Sequence, residues 1–259
     1  MIKNIVIVII ILGVGTFIYM KKDTGEMKNA EMLRGEGASV VSEEVVYFDD
    51  VKGLYVRPEA EGVYPGVVMI HENRGLRPEI RDTAKQLAGQ GYQVLAVSLL
   101  DGVVETQEEA QALTAKFNQA TGTANMRAAA AYLRTHGASK IASLGWCFGG
   151  RQSVELAISG EPLDATVVYY GGRMATTTDR LAPIKWPVLG IFGGADQSIP
   201  EEMVHAFETS LNTLGVPNEI HIYPGVGHAF ANPSGMNYAP EETKDAWTKT
   251  LNFLERNLK

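Results

Sequence analysis

The chain has 259 residues, enough for one α/β domain with a substantial core and short for two. With 45% hydrophobic residues, 20% charged residues, 27 glycines and 11 prolines it lies near globular averages, which excludes a disordered chain, a collagen and a coiled coil. A formal charge of −7 lacks the positive footprint that phosphate backbones require, so no nucleic-acid partner is expected, and the single cysteine, Cys147, excludes an intramolecular disulfide and paired-cysteine metal or redox motifs.

Residues 5–20 (IVIVIIILGVGTFIYM) carry no charge, with Lys3 before them and Lys21-Lys22 after. A spanning helix takes roughly 17–25 apolar residues, a range this run reaches only when counted from Ile2, past Lys3. The nearest small-residue cleavage pattern is Gly13-Val14-Gly15, and no neighbouring cysteine offers a lipid acceptor. Residues 1–22 therefore read as a retained signal anchor or, alternatively, a cleaved signal peptide. Either exports the chain, anchored to the cell membrane in the first case and secreted or periplasmic in the second. Membrane contact is expected through this segment only. Residues 23–38 are polar and read as a linker to a domain over 39–259.

From residue 39 onward β-type runs alternate with longer helix-type segments, which predicts an α/β fold: a mostly parallel sheet, helices on both faces and a leading antiparallel hairpin. The hairpin is expected over 40–48 and 52–57, with Asp49-Asp50-Val51 at the turn. Further strands are expected at 64–71, 92–98, 140–146, 164–170, 187–192 and 218–223, several of them continuous apolar runs suited to burial on both faces. Helices are expected at 77–90, 105–118, 123–136, 150–159, 200–214 and 240–258. The segment from 200 opens with Pro-Glu-Glu, a favourable first turn.

Where one such strand gives way to a helix stands Gly145-Trp146-Cys147-Phe148-Gly149-Gly150. A nucleophile on a tight strand-to-helix turn has strained backbone angles and needs small residues two positions to either side, which Gly145 and Gly149 supply. The same turn aims the N–H of Phe148 and the helix N-terminus at the thiol, which lowers a thiol pKa and offers one oxyanion donor. A thiol nucleophile needs a base, and the base an orienting carboxylate. Asp196 follows the strand at 187–192 in Gly193-Gly194-Ala195-Asp196, and His228 follows the strand at 218–223 in Gly225-Val226-Gly227-His228. In a parallel sheet both loops open at the carboxyl edge that presents Cys147. Taken singly, Asp196 also suits a helix cap or Asx-turn, and His228 a surface loop. His71-Glu72-Asn73-Arg74-Gly75 has glycine where a His-Glu-x-x-His zinc helix needs its second histidine, so no metal site and no cofactor is expected.

The segments Gly-Trp-Cys-Phe-Gly-Gly, Gly-Gly-Ala-Asp and Gly-Val-Gly-His-Ala-Phe, with Ile70-His71-Glu72-Asn73-Arg74-Gly75-Leu76 earlier in the chain, resemble the dienelactone hydrolase family of α/β-hydrolases. The resemblance implies a carboxylic ester or lactone hydrolase with Cys147 as nucleophile, His228 as base and Asp196 as its orienter. It further implies an acyl-enzyme thioester, an oxyanion hole from the N–H groups of Asn73 and Phe148, and a Glu72 that contacts the resting thiol. The family's carboxylate-binding arginines are not matched: Asn232 stands four residues after His228, and Leu99-Leu100-Asp101-Gly102-Val103-Val104 contains none. Arg74 and Arg173 are the candidate replacements, with a solvated salt-bridge role as the alternative for each, while Trp146, Tyr170 and Phe230, each of which also suits core packing, and Asn232 are expected to line the substrate pocket. The partner is then a small-molecule ester or lactone. The alternatives are a non-catalytic, envelope-anchored binding protein on the same fold, or a thioesterase or peptidase.

Overall fold

Short aliphatic runs build the centre of the sheet. Strands β3 (Gly66–Ile70), β4 (Gln93–Val97), β5 (Ile141–Trp146), β6 (Ala165–Tyr169) and β7 (Val188–Gly193) are buried along their whole length, in a computed structural model that describes residues 37–259. Strands covered on both faces have no polar alternation, which is why these segments read as unbroken apolar runs. β1 (Val40–Phe48) and β2 (Val51–Pro58) form the leading antiparallel hairpin. Its turn is Asp49-Asp50, with Asp49 at φ 46°, so Val51 belongs to β2 rather than to the turn. β8 (Asn218–Tyr223) is the half-buried far edge. The eight strands run in the order β1-β2-β4-β3-β5-β6-β7-β8, parallel from β4 to β8 and antiparallel at β1 and β2.

The helices flanking this sheet are α1 (Pro78–Gly89), α2 (Gln107–Ala115), α3 (Gln119–Thr135), α4 (Phe148–Ile158), α5 (Thr178–Leu181), α6 (Glu201–Thr213) and α7 (Pro240–Leu258). α2 starts on a capping box between Thr106 and Glu109. The helix expected over 105–118 stops at Ala115, and α3 begins earlier than expected, because Asn118 caps α3: its side chain accepts the N–H of Thr121 at 3.0 Å. Pro200 is the cap residue of α6 rather than part of its first turn. α5, with 4 residues, is too short for a helical period to register in the sequence. Among the described residues no helix is long and apolar enough to cross a membrane; residues 1–22, where an anchor or signal peptide is expected, lie outside them.

The strand order places the site. The chain runs outward from β3 to β4 on one side, then from β5 through β8 on the other. The loops after β3 and β5 therefore diverge at the carboxyl edge and leave a crevice there, with the loops after β6, β7 and β8 following along the same edge.

Candidate active site

Cys147 is the hinge between β5 and α4, with φ 54° and ψ −112°, a backbone conformation that a side-chain-bearing residue adopts at a cost of about 1–3 kcal/mol. The neighbouring glycines allow it. A Cβ on Gly145 would lie 2.1 Å from the carbonyl oxygen of Gly149, and one on Gly149 would lie 2.3 Å from that of Ile70 and 2.5 Å from that of His71. The close approach at Gly149 brings the end of β3 against the first turn of α4, so the loop carrying Glu72 and Asn73 borders the cysteine turn. α4 begins at Phe148 itself, two residues before the expected start, which leaves the Phe148 N–H without a partner inside its helix. The backbone N–H of Cys147 donates to Tyr169 at 3.0 Å, tying the turn to β6.

His228 sits between the thiol and a carboxylate. Its Nε2 is 3.1 Å from Cys147 Sγ and its Nδ1 is 2.7 Å from Asp196 Oδ2. Asp196 is buried, and its other oxygen, Oδ1, accepts the N–H groups of Ser198 at 2.8 Å and Ile199 at 3.2 Å. The Asx-turn reading and the histidine-orienting reading of this residue are thus both realised, one per oxygen. Backbone bonds staple the two loops together: Gly194 N–H to Tyr223 at 2.8 Å and Ala195 N–H to Val226 at 2.9 Å. Burial works against the charge on His228, but the hydrogen bonds to Asp196 and Cys147 outweigh it and push the imidazole up to about 10. Tyr170 sets its ring edge-on to His228, with centroids 5.4 Å apart.

Glu72 does not take the thiol as its hydrogen-bond partner. Asn232 Nδ2 donates to Glu72 Oε2, and the Tyr170 hydroxyl lies 3.4 Å from Oε1. Burial raises the Glu72 pKa, opposed by the Asn232 amide and the charge on His228. Asn232 is in turn fixed by Ser234, whose N–H and hydroxyl both donate to its Oδ1 at 3.0 and 2.9 Å. His71 is fully buried; Leu99 N–H donates to its Nε2 at 3.1 Å, so Nδ1 carries the proton and donates to the carbonyl of Glu72 at 2.6 Å. Burial lowers this imidazole to about 4 and keeps it neutral.

The cleft over Cys147 holds about 730 Å³ and is bordered by Asn73, Phe148 and His228, with Gln119, Arg151 and Arg173 among its other walls. Several residues expected in this pocket lie elsewhere. Trp146, Tyr170 and Asn232 face a separate recess behind Glu72, shared with Trp247 and Ile80. Trp146 and Cys147 are adjacent at a strand end, so their side chains diverge. Phe230 is fully buried, packed against Tyr170 and Tyr223 at centroid distances of 5.7 and 5.3 Å. Arg74 borders neither space; its carbonyl accepts the N–H of Val104 at 3.1 Å. The sequence reading missed Arg151, although it sits one helical turn after Cys147, the spacing at which a helical side chain leans toward the preceding turn.

A mostly parallel sheet with a strained residue at the β5–α4 turn, and an acid and a histidine after β7 and β8, is the α/β-hydrolase fold. The chain belongs to the dienelactone hydrolase family, whose model matches residues 51–258, and with it to the hydrolases of esters and lactones. It is 30% identical over 223 residues to a Salmonella typhimurium protein named "Putative carboxymethylenebutenolidase", covering 80% of this chain and 83% of that one. Among solved structures it is similar to a Klebsiella pneumoniae protein titled "Putative Dienelactone Hydrolase", with a TM-score of 0.77, 26% identity, and coverage of 84% of this chain and 99% of that one. A dienelactone hydrolase from Anabaena variabilis shares the fold, with a TM-score of 0.65, 20% identity and coverage of 86% and 100%.

Proposed function

We propose that the protein hydrolyses small carboxylic esters or lactones through a Cys147-His228-Asp196 triad and a thioester acyl-enzyme. The observation that carries this reading is the position of His228, in hydrogen-bond reach of both the strained Cys147 thiol and the buried Asp196. His228 Nε2 holds the thiol proton while Sγ attacks the acyl carbon. The N–H groups of Asn73 and Phe148 hold the resulting oxyanion. As the intermediate collapses, His228 returns its proton to the leaving alcohol. It then deprotonates a water that attacks the thioester, releasing the acid and the free thiol. Asp196 stays ionised throughout and holds the imidazole with Nδ1 protonated. Glu72 enters through the loop it braces, since its bonds to Asn232 and Tyr170 fix the turn next to Asn73.

The test compares p-nitrophenyl acetate turnover by the wild type and Cys147→Ala. Loss of turnover to background supports the assignment; equal corrected rates remove Cys147 from the mechanism. Iodoacetamide gives a second readout, because a thiol on an imidazole alkylates quickly and is protected by a bound substrate analogue.

We further propose that residues 1–22 export the domain and tether it to the cell membrane, on the strength of their uncharged run between lysines. Recovery of intact Met1 in membrane fractions agrees with a retained anchor; a mature chain starting near Thr16 shows cleavage instead.

A further inference from the structure

Beside the cleft over Cys147 lies a second hollow of similar size, about 750 Å³ against about 730 Å³, between the β1–β2 turn, the loop after β4 and the start of α3. Half-buried Val51, Leu99 and Leu113 and buried Leu100 give it apolar walls, with exposed Lys52 and Lys116 at its border. Among the described residues Phe117 alone borders both spaces. The hydrophobic core does not account for its position, because Phe117 is half-buried and stands outside the cluster of packed apolar side chains.

Phe117 lies in the connection between α2 and α3 and is held from both sides. Its ring rests on Gly122, where a Cβ would come within 2.2 Å of Phe117 Cζ and 2.6 Å of Cε2. Glycine inside a helix weakens it, and at 122 it clears the seat that the ring occupies. On the cleft side the ring meets Phe148 edge-on, with centroids 5.0 Å apart. The residues that follow are fixed as well: Asn118 caps α3, and Gln119 exchanges amide hydrogen bonds with Gln152 of α4 at 2.7 and 3.1 Å.

We propose that Phe117 is a specificity-determining residue that ends the Cys147 cleft: seated on Gly122, its ring partitions the cleft from the neighbouring hollow and confines the substrate to short chains. This rests on the ester-hydrolase reading above and adds the size of the substrate. A chain longer than the cleft has to displace the ring from Phe148 and from its seat, which forfeits those contacts. With the ring removed the two spaces join, and additional methylenes find the apolar walls of the hollow.

The experiment measures kcat/KM for p-nitrophenyl acetate and p-nitrophenyl octanoate. In parallel it measures the rates at which Cys147 Sγ displaces iodide from iodoacetamide and from N-octyliodoacetamide, which read the depth of the cleft whether or not esters are turned over. Wild type is expected to favour the short member of each pair, and Phe117→Ala to raise the long-to-short ratio about 10-fold or more. Thr121 is exposed and borders only the hollow, so adding Thr121→Trp to Phe117→Ala fills that space from its own wall and takes the gain back. Phe117→Leu keeps an apolar side chain and raises the ratio less, which keeps the test open should Phe117→Ala fold poorly. A ratio that moves in neither folded Phe117 variant, a gain that survives Thr121→Trp, or a wild type that already prefers the long members overturns the partition while leaving the hydrolase reading intact. Absence of wild-type turnover on both esters counts against the hydrolase reading itself, and the alkylation ratio then decides the partition.

Discussion

Asp196 divides its two oxygens between backbone and imidazole: Oδ1 takes the Ser198 and Ile199 N–H groups, and Oδ2 takes Nδ1 of His228 at 2.7 Å. The carboxylate is thereby locked in place before it meets the histidine, which fixes both the tilt of the ring and the nitrogen that carries the proton. Asp196→Asn keeps the shape but presents an amide. If its N–H₂ faces the ring, Nδ1 must accept, and Nε2 then holds the proton against the thiol. The expected outcome is a fall of about 100-fold or more in kcat/KM for p-nitrophenyl acetate with the melting temperature little changed. An activity within a few-fold of wild type contradicts the assigned role.

The raised pKa of His228, about 10, depends on the thiol as well as on Asp196. Replacing Cys147 by Ser removes the sulfur and its charge, so the imidazole titrates at lower pH, as read by the NMR shifts of its ring protons across a pH series. In the wild type the folded state holds this proton above pH 6.5 while the unfolded chain releases it. The stabilisation is therefore complete below that pH and is lost as pH rises through about 10. Identical titration in wild type and Cys147→Ser sinks the coupling between the two groups.

His71 has the opposite sign. It stays neutral in the fold down to about pH 4, whereas in the unfolded chain it protonates near 6.5. Between those values the unfolded state binds the extra proton, so stability falls as pH falls through this window, by about 3 kcal/mol in all. Urea unfolding at pH 7 and pH 4.5 tests this: His71→Gln is less stable than wild type at pH 7 but flattens the acid loss. An equal acid loss in the two proteins assigns it to other groups.

Gly149 and Gly172 both border the site and differ in what surrounds them. A methyl at 149 meets the Ile70 and His71 carbonyls at 2.3 and 2.5 Å, backbone atoms that cannot rotate aside, whereas one at 172 meets Ile199 Cγ1 at 3.8 Å, an ordinary contact. Gly149→Ala is expected to cost about 3 kcal/mol and most of the activity, and Gly172→Ala under about 1 kcal/mol. Thermal melts of the two variants decide it; similar melting temperatures contradict the packing argument.

The legible part of the site was the part written in local backbone needs. Gly145 and Gly149 flank Cys147 because the turn tolerates nothing larger, the strand before Asp196 is an unbroken apolar run, and the half-buried strand before His228 pairs with it in parallel, which puts both loops on one edge. The walls of the cleft were less legible, because nearness in sequence does not fix direction. Trp146 adjoins Cys147 and faces the recess behind Glu72. Asn232, expected to line the substrate pocket, spends its amide on Glu72, a residue 160 positions away that no local pattern connects to it. Arg151 was readable from helical geometry alone, one turn after Cys147.

The account stands on covalent catalysis by Cys147, and the direct measurement is intact-protein mass spectrometry of the enzyme acid-quenched during p-nitrophenyl ester turnover. One acyl group is expected on the wild type, mapped to the peptide containing Cys147, and none on Cys147→Ala. Full turnover with no acyl adduct at any quench time, or an adduct that persists in Cys147→Ala, contradicts it.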